Sequence, residues 1–215
     1  MGVKEYDKWT LETSVDEIDK YNASSLNDKE IELIKKIHPQ KVFDVGSRNG
    51  KRLFSYLDVL GIDYIGIEKF EKLVEFGNNK YSDKIIVGDI LDVNLKNLGK
   101  ELLNIDTITI LGGSLNGIFG FDQHFKAWQI IKNILLPTGQ IIFEAKMVVG
   151  FENLLEIGEI TFNKKLPPQF HLSEKQLYDI WDNLNLTVVE YSDYQIPNWY
   201  KARYYIIKNL SSCLQ

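Results

Sequence analysis

Residues 41–50 are Lys-Val-Phe-Asp-Val-Gly-Ser-Arg-Asn-Gly, and they set the architecture expected of the whole chain. The first half has the apolar character of a buried strand, and the second half is a turn bounded by Gly46 and Gly50. Apolar residues at helical spacing follow at Leu53, Leu57 and Leu60. A strand, a glycine turn and a helix in this order form a ligand cradle in open α/β sheets.

Asp44 stands two residues before the first glycine of this turn. A dinucleotide would bring its pyrophosphate to the turn, and a carboxylate so close would repel the phosphates. A ligand with a cationic end would be attracted instead. The position of Asp44 therefore favours a cationic ligand over a dinucleotide.

Strand and helix patterns alternate along the middle of the chain. Strands are predicted at 41–46, 62–68, 84–88, 106–112 and 139–145, and helices near 51–60, 70–80, 94–103 and 122–136. Strands separated by helix-length segments are typical of a parallel, doubly wound α/β sheet. At this length a single domain over residues 1–215 is expected.

The two ends of the predicted core have their own signals. Asn27 with Glu30, and Ser173 with Gln176, have the capping-box spacing that begins helices. The core is expected over residues 27–208, after an N-terminal segment of residues 1–26.

The last third of the core has a different pattern. Residues 186–191 and 203–207 look like strands with no helix-length segment between them, so we expect an antiparallel hairpin. The connection between them is aromatic and contains Pro197.

Composition excludes several classes of protein. The formal charge of −5 and the pI near 5.3 argue against a nucleic-acid binder and against binding to an anionic membrane. The single cysteine, Cys213, permits no intrachain disulfide and no multi-cysteine metal site. The N-terminus lacks the apolar core of a signal peptide, and no apolar run reaches the ~20 residues of a membrane span. A cytoplasmic, soluble protein is expected, and its oligomeric state stays open.

Five short motifs resemble those of the class I methyltransferases that use S-adenosylmethionine. They are residues 44–50 (Asp-Val-Gly-Ser-Arg-Asn-Gly), 64–68 (Tyr-Ile-Gly-Ile-Glu), 87–90 (Val-Gly-Asp-Ile), 110–116 (Ile-Leu-Gly-Gly-Ser-Leu-Asn) and 136–143 (Leu-Pro-Thr-Gly-Gln-Ile-Ile-Phe). The first motif departs from the family in having Arg48 where a glycine is common. The resemblance implies a seven-stranded, mostly parallel sheet whose last strand is inserted antiparallel.

The resemblance also implies a set of cofactor-binding residues. Glu68 would accept the ribose hydroxyls, Asp89 would face the adenine amine, and Asp44 would offset the cationic amino-acid end. Both Asp44 and Glu68 are expected to face the cleft. Taken alone, Glu68 also fits a solvated strand-end acid, and Asp89 also fits a turn or cap residue. The full set is Asp44, Gly46, Ser47, Gly50, Glu68, Lys69, Asp89, Ile90, Gly112 and Ser114.

Several motifs that the sequence lacks restrict the class of methyl acceptor that the resemblance allows. The chain lacks the Asn/Asp-Pro-Pro-aromatic tetrad of enzymes that methylate exocyclic amines, an internal cysteine nucleophile and a clear magnesium site. Residues 112–116 instead resemble small-molecule N- and O-methyltransferases. The resemblance therefore implies a small-molecule or short-peptide acceptor, and no metal.

Candidate acceptor-site residues come from several segments. His171 and Tyr21 are the predicted catalytic residues, and His171 could titrate near neutral pH as a base. A cap or solvent role is the favoured alternative for His171. His124 is also a candidate but could simply be exposed, and for each aromatic residue core or lid packing is favoured over a role at the acceptor. The remaining candidates are Tyr6, Trp9, Tyr194 and Trp199. Residues 1–26 and 146–172 are predicted to cover the cleft.

Two other functions remain open at this point. A nicotinamide-dependent oxidoreductase would also use an open α/β sheet, although Asp44 and the terminal hairpin weigh against it. A catalytically silent, methyltransferase-like subunit would keep the same fold, although all three cofactor acids are retained.

Overall fold

The computed structural model describes residues 12–14, 25–81, 84–92, 99–147, 159–160, 169–195 and 201–210. The helices are α1 (Asp28–Ile37), α2 (Lys51–Val59), α3 (Glu71–Lys80), α4 (Phe121–Ile134) and α5 (Glu174–Asn183). The strands are β1 (Lys41–Val45), β2 (Asp63–Glu68), β3 (Ile85–Val87), β4 (Thr107–Ile110), β5 (Gln140–Met147), β6 (Glu159–Ile160), β7 (Gln169–Phe170), β8 (Leu186–Gln195) and β9 (Lys201–Asn209). Short 3₁₀ turns lie at Gly99–Leu102 and Ser114–Gly117.

Seven strands form one sheet in the order β3-β2-β1-β4-β5-β9-β8. Strands β1 to β5 are parallel, whereas β9 pairs antiparallel with both β5 and β8. This arrangement confirms the predicted doubly wound sheet with its antiparallel C-terminal hairpin. Because β1 pairs with β2 on one side and β4 on the other, the strand order reverses beside β1. Open α/β sheets bind ligands at such a switch point, at the carboxyl ends of the strands.

Side chains on the two faces of the sheet build two cores. On one face, α4 and α5 cover a cluster in which Trp128, Phe143 and Trp181 pack edge to face at centroid distances of 5.2–5.9 Å. On the other face, α1 and α2 contribute Leu33, Ile34, Leu53 and Leu57. Burying both faces explains the near-continuous apolar runs of the parallel strands.

Both predicted capping boxes are formed. The Asn27 side chain accepts from the Glu30 N–H, and the Glu30 carboxylate accepts from the Asn27 N–H. Ser173 and Gln176 make the same reciprocal pair at the start of α5. Helix α1 ends at Ile37, and its C-cap His38 is left-handed (φ 53°) immediately before Pro39.

Two elements differ in length between the prediction and the structure. Of the helix predicted at 94–103, the described part contains only the 3₁₀ turn Gly99–Leu102, followed by left-handed Asn104. Glycine is a poor helix former, which is consistent with this short turn. Strand β8 is longer than predicted and runs to Gln195, because β9 supplies pairing partners as far as Lys201.

Much of the predicted cover over the cleft lies outside the described residues. Of the 146–172 segment, the structure describes residues 146–147 at the end of β5, the short antiparallel pair β6–β7, and residues 171–172. Tyr6, Trp9, Tyr21 and Trp199 lie outside the described residues. None of the helices in the described ranges is long and apolar enough to cross a membrane.

Candidate active site

A cavity of about 270 Å³ opens at the carboxyl edge of the sheet, beside the switch point. Its walls come from the ends of β1, β2 and β3, the start of α3, and the turn after β4. Six predicted cofactor residues line this cavity: Gly46, Glu68, Lys69, Asp89, Ile90 and Ser114.

The turn after β1 requires left-handed backbone at alternate positions. Gly46 (φ 69°), Arg48 (φ 53°) and Gly50 (φ 71°) all have positive φ. A Cβ atom at Gly46 would lie 2.7 Å from the Cβ of Ser114, so the turn after β4 closes directly over this glycine. Arg48 occupies the middle one of these three left-handed positions, at some conformational cost. Its side chain lines the cavity.

Glu68 forms part of the cavity wall and is held there by backbone groups. One carboxylate oxygen accepts from the Arg48 N–H at 3.1 Å, and the other accepts from the Phe70 N–H at 3.1 Å. Only 6% of the residue is exposed. Burial raises the pKa of the carboxyl, whereas the two N–H donors and the Arg48 charge lower it. The carboxylate is therefore fixed before any ligand arrives.

Asp89 both stabilises a turn and lines the cavity. Its Oδ1 accepts from the Leu91 N–H at 2.9 Å, and its backbone carbonyl accepts from the Asp92 N–H at 2.9 Å. The turn role considered from the sequence is thus present. It does not displace the residue from the cavity wall.

Asp44 does not line the cavity, so the expectation that it faces the cleft is wrong. Its side chain lies on the opposite face of β1 from Val45, which does line the cavity. Thr109 Oγ1 donates to the carboxylate at 2.7 Å and the Tyr64 hydroxyl donates at 3.3 Å. Burial is the main reason that the pKa of Asp44 rises to about 7.

The other three predicted cofactor residues also lie outside the cavity lining. Ser47 packs against Gly66, where a Cβ atom would come within 2.5 Å of the Ser47 hydroxyl. Gly50 is the N-cap of α2 and packs against Ile85. Gly112 packs against the Arg52 guanidinium and donates its N–H to Glu144 at 2.6 Å. Their role in cofactor binding stays a prediction.

A buried ionic cluster connects this edge of the sheet to α1, and the sequence analysis missed it. Arg52 of α2 binds Glu30 of α1, and its guanidinium is 3.8 Å from Glu144 of β5. Both carboxylate side chains are fully buried. The Tyr204 hydroxyl donates to Glu30 at 3.2 Å. Burial raises the pKa of Glu30, against the lowering effect of Arg52.

The expectation that His171 titrates near neutral pH is wrong. Burial, with the nearby positive charge of Lys146, lowers its pKa to about 3. His124 is not exposed either, because its Nε2 lies 3.1 Å from the Ile118 carbonyl oxygen and its ring packs against Phe170. Burial lowers the pKa of His124 to about 4. Both imidazoles are neutral at physiological pH.

Of the N-terminal segment, the structure describes residues 12–14 and 25–26, and Thr13 contacts helix α3. The Lys72 ammonium donates to the Thr13 carbonyl at 2.6 Å. Lys72 lies between Phe70 and Leu73, which both line the cavity. Tyr194, another predicted acceptor residue, lies in β8 and packs against the core on the α1 side.

Sequence reasoning also missed a polar group on the far side of the turn after β4. Lys146 Nζ donates to Gln169 Oε1 at 3.2 Å, and Asn116 Nδ2 donates to the same oxygen at 3.3 Å. Strand alternation would have placed Lys146 at the carboxyl end of β5, where ligands bind. In the described part of the chain, no cluster of three or more histidine, cysteine or carboxylate side chains could hold a metal ion.

Comparisons with known proteins find likeness only in structure. No family model matches the sequence, and no curated protein matches it. Solved methyltransferase structures do resemble the fold, at 11–14% sequence identity in the three cases that follow.

An S-adenosylmethionine-dependent methyltransferase from Methanosarcina mazei superposes with a TM-score of 0.69 at 11% identity, over 86% of this chain and 99% of that one. A second from Clostridium acetobutylicum gives 0.59 at 12% identity, over 97% and 92%. The glycopeptide N-methyltransferase MtfA, complexed with S-adenosyl-L-homocysteine, gives 0.65 at 14% identity, over 84% and 88%. Together with the observed strand order, these likenesses show that the chain has the fold of the class I S-adenosylmethionine-dependent methyltransferases.

Proposed function

We propose that this protein is a methyltransferase that uses S-adenosylmethionine to methylate nitrogen or oxygen of a small molecule or a short peptide. The observation that carries the proposal is Glu68, a carboxylate fixed in the wall of a cavity at the switch point of the sheet. Glu68 follows Gly46 by one helix and one strand, the spacing at which an acid meets a ribose.

The residues around the cavity fit the chemistry of this cofactor. Each Glu68 oxygen has further acceptor capacity beyond its backbone bond, so the carboxylate can accept from ribose hydroxyls. Asp89 uses one oxygen in its turn and offers the other to an amine such as that of adenine. Ile67, Ile90 and Leu91 supply apolar surface for a purine ring.

Asp44 would act on the cofactor through its charge, without the direct contact that its position in the motif suggests. It lies behind the cavity wall, so its charge would act on a cationic ligand at short range without direct contact. Burial raises its pKa, and a ligand that carries a sulfonium and an ammonium would favour the ionised form. Ligand binding and ionisation of Asp44 would then be coupled.

The protein's contribution to catalysis is mainly orientation and exclusion of water. The cofactor, when bound, supplies a methyl group that is already activated. The chain holds the two reactants in line, which can contribute several kcal/mol of the barrier reduction, roughly 7–11 at best. Thr13 contacts Lys72 of α3, the helix whose start lines the cavity, and we infer that the N-terminal segment covers the cavity.

Structural neighbours are consistent with this reading. MtfA is described in complex with S-adenosyl-L-homocysteine, and a magnesium protoporphyrin IX methyltransferase from Synechocystis, with a TM-score of 0.59 at 12% identity, is described with bound S-adenosylmethionine. One neighbour acts on a glycopeptide and the other on a porphyrin, so the shared fold supports the cofactor more than it supports any one acceptor.

Calorimetric titration tests the proposal directly. The purified protein is titrated with S-adenosylmethionine, S-adenosylhomocysteine and NADH. We expect the first two to bind and NADH to give no heat of binding. Binding of NADH alone would favour the oxidoreductase instead.

Acceptor screening separates the active enzyme from the silent subunit. A protein that binds the cofactor, methylates nothing by itself and copurifies with a larger enzyme would be a binding subunit.

A further inference from the structure

Gln123 is a polar residue of the cavity wall to which neither the sequence motifs nor the proposed function gives a role. It lies in the first turn of α4 and lines the same cavity as Glu68 and Asp89. The residue is exposed, and in the described part of the chain no group forms a hydrogen bond with its carboxamide. A carboxamide has an acceptor oxygen and an N–H₂ donor group, so Gln123 can both accept from a ligand and donate to it.

An ion pair places Gln123 near the part of the cavity that Asp89 lines. Lys126 follows Gln123 by one turn on the same face of α4, and its ammonium lies 3.9 Å from the carboxylate of Asp92. Asp92 belongs to the turn that Asp89 begins, because its N–H donates to the Asp89 carbonyl at 2.9 Å. The start of α4 therefore lies beside the turn after β3, and Gln123 and Asp89 reach the cavity from two different elements.

The backbone next to Gln123 is held in place from inside the protein. His124 Nε2 lies 3.1 Å from the carbonyl oxygen of Ile118, which also lines the cavity. The His124 ring packs against Phe170 at a centroid distance of 5.8 Å. His124 is buried whereas Gln123 is exposed, so the helix is anchored at this point and the carboxamide can still turn towards a ligand.

We propose that Gln123, together with Asp89, recognises the adenine base of the cofactor. The inference rests on the proposed methyltransferase function and names a specificity-determining residue of that same site. Asp89 Oδ1 accepts from the Leu91 N–H, so the other carboxylate oxygen accepts one hydrogen of the adenine amine. The Gln123 carboxamide accepts the second hydrogen of this amine and donates to the ring nitrogen beside it.

Adenine presents the two groups that a glutamine side chain matches. Its amine is a donor, and an accepting ring nitrogen lies on either side of the amine, N1 on one side and N7 on the other. Proteins that read adenine in DNA use Asn or Gln for a bidentate contact of this kind. Asp89 supplies only acceptors, which distinguish an amine from a keto oxygen but cannot bind a ring nitrogen. Gln123 adds the donor that the ring nitrogen needs.

The test removes the ring nitrogen and the glutamine separately. S-adenosylhomocysteine and its 1-deaza and 7-deaza analogues, in which carbon replaces N1 or N7, are titrated calorimetrically into the parent protein and into Gln123→Ala. In the parent, we expect one of the two analogues to bind about 3- to 10-fold more weakly, within the range of a neutral hydrogen bond. In Gln123→Ala, S-adenosylhomocysteine itself should weaken by a similar factor, and the penalty for that analogue should disappear.

Two further variants distinguish a direct contact from a structural effect. Gln123→Glu keeps the acceptor but cannot donate, and its charge would face the lone pair of the ring nitrogen. It should therefore bind S-adenosylhomocysteine no better than Gln123→Ala does. Gln40→Ala changes an exposed glutamine just before β1, at the amino end of the sheet, and is the matched control. It should keep both the affinity of the parent and the analogue penalty.

The outcomes separate this inference from the proposed function. If the parent binds none of the three ligands, the methyltransferase function itself is wrong. If the parent binds all three equally well, or if the analogue penalty persists unchanged in Gln123→Ala, Gln123 does not read the base. It would then be only a solvated residue of α4, and the assignment of the cofactor would stand without it.

Discussion

Glu68 is held at the cavity wall by the N–H groups of Arg48 and Phe70, so its orientation does not depend on the ligand. We expect Glu68→Gln to weaken S-adenosylmethionine by about 1.5–3 kcal/mol, roughly 10- to 150-fold, because the amide replaces a charged acceptor. It would also turn an N–H₂ group towards one of the two backbone donors. Calorimetry measures the change. Glu71→Gln, an exposed glutamate at the start of α3, is the matched control and should bind normally.

Asp44 should make cofactor affinity depend on pH. Its carboxyl has a pKa of about 7 in the free protein, so it is largely neutral below that pH and offers no charge to a cationic ligand. We expect affinity to rise as the pH increases through about 7 and then to level off. Asp44→Asn should flatten this profile. A profile that is unchanged in the variant would show that Asp44 does not sense the ligand.

The same residue predicts a stability difference with a definite sign. The folded-state pKa of Asp44 is raised above its usual value near 3.9, so its contribution to stability is fully present below pH ~4 and is lost as the pH rises through about 7. Asp44→Asn cannot ionise. Urea unfolding should therefore show the variant gaining stability relative to the parent across this window, by about 1.4 kcal/mol per pH unit at most.

Asp44 also shows where sequence reasoning at single residues fails. Its distance from Gly46 was read correctly, but strand alternation places it on the face of Val42, away from Phe43 and Val45. The motif gives the position of an acid along the strand and not the side on which it lies. Glu68 could be predicted more safely, because the last residue of a strand lies at the sheet edge.

At the scale of elements, Thr13 of the N-terminal segment accepts from Lys72 of α3, the helix whose start lines the cavity. We expect a protein lacking residues 1–22 to fold, because α1 has its own capping box from Asn27 onwards. It should still bind S-adenosylmethionine but transfer methyl poorly, because water is no longer excluded. Stopped-flow measurements should show faster release of S-adenosylhomocysteine.

Lys72→Met is the matched control for the truncation. It removes the donor to Thr13 and leaves the segment in the chain. A release rate between those of the parent and the truncated protein would assign part of the cover to this contact. Parent-like release and full transfer in the truncated protein would mean that residues 1–22 do not cover the site.

The order of the elements could be predicted because strand and helix periods differ, and the parallel strands are buried on both faces. The helix predicted at 94–103 agrees least with the structure, because its described part is only a 3₁₀ turn. Its apolar spacing includes Gly99. The β6–β7 pair gave no signal, because two residues per strand are too few to show a period. The contact between Lys146 and Gln169 was missed for that reason, because it depends on this pair.

At the scale of the whole molecule, Arg52 joins elements that are distant in sequence. It forms ion pairs with two fully buried carboxylates, Glu30 of α1 and Glu144 of β5. We expect Arg52→Met to cost about 3–5 kcal/mol of stability, because it removes the cation that is paired with the two buried carboxylates. Urea unfolding measures the loss.

Arg203 provides an internal comparison for this prediction. It also bridges two carboxylates, Asp193 and Glu174, but their side chains are 29% and 49% exposed. Arg203→Met should therefore cost about 1 kcal/mol or less. Equal losses from the two variants would show that burial of the carboxylates does not decide the effect.

The hydrogen bond from the Gly112 N–H to Glu144 has a consequence for the motion of the site. This amide proton can exchange with solvent only when its hydrogen bond to Glu144 breaks. Glu144 lies beside Arg52, which also binds α1. We therefore expect the rate of deuterium uptake at the Gly112 amide to report how often α1 separates from the sheet. Slow exchange of this amide in the free protein would mean that α1 holds the turn after β4 in place. A ligand would then enter a pocket that is already closed on that side.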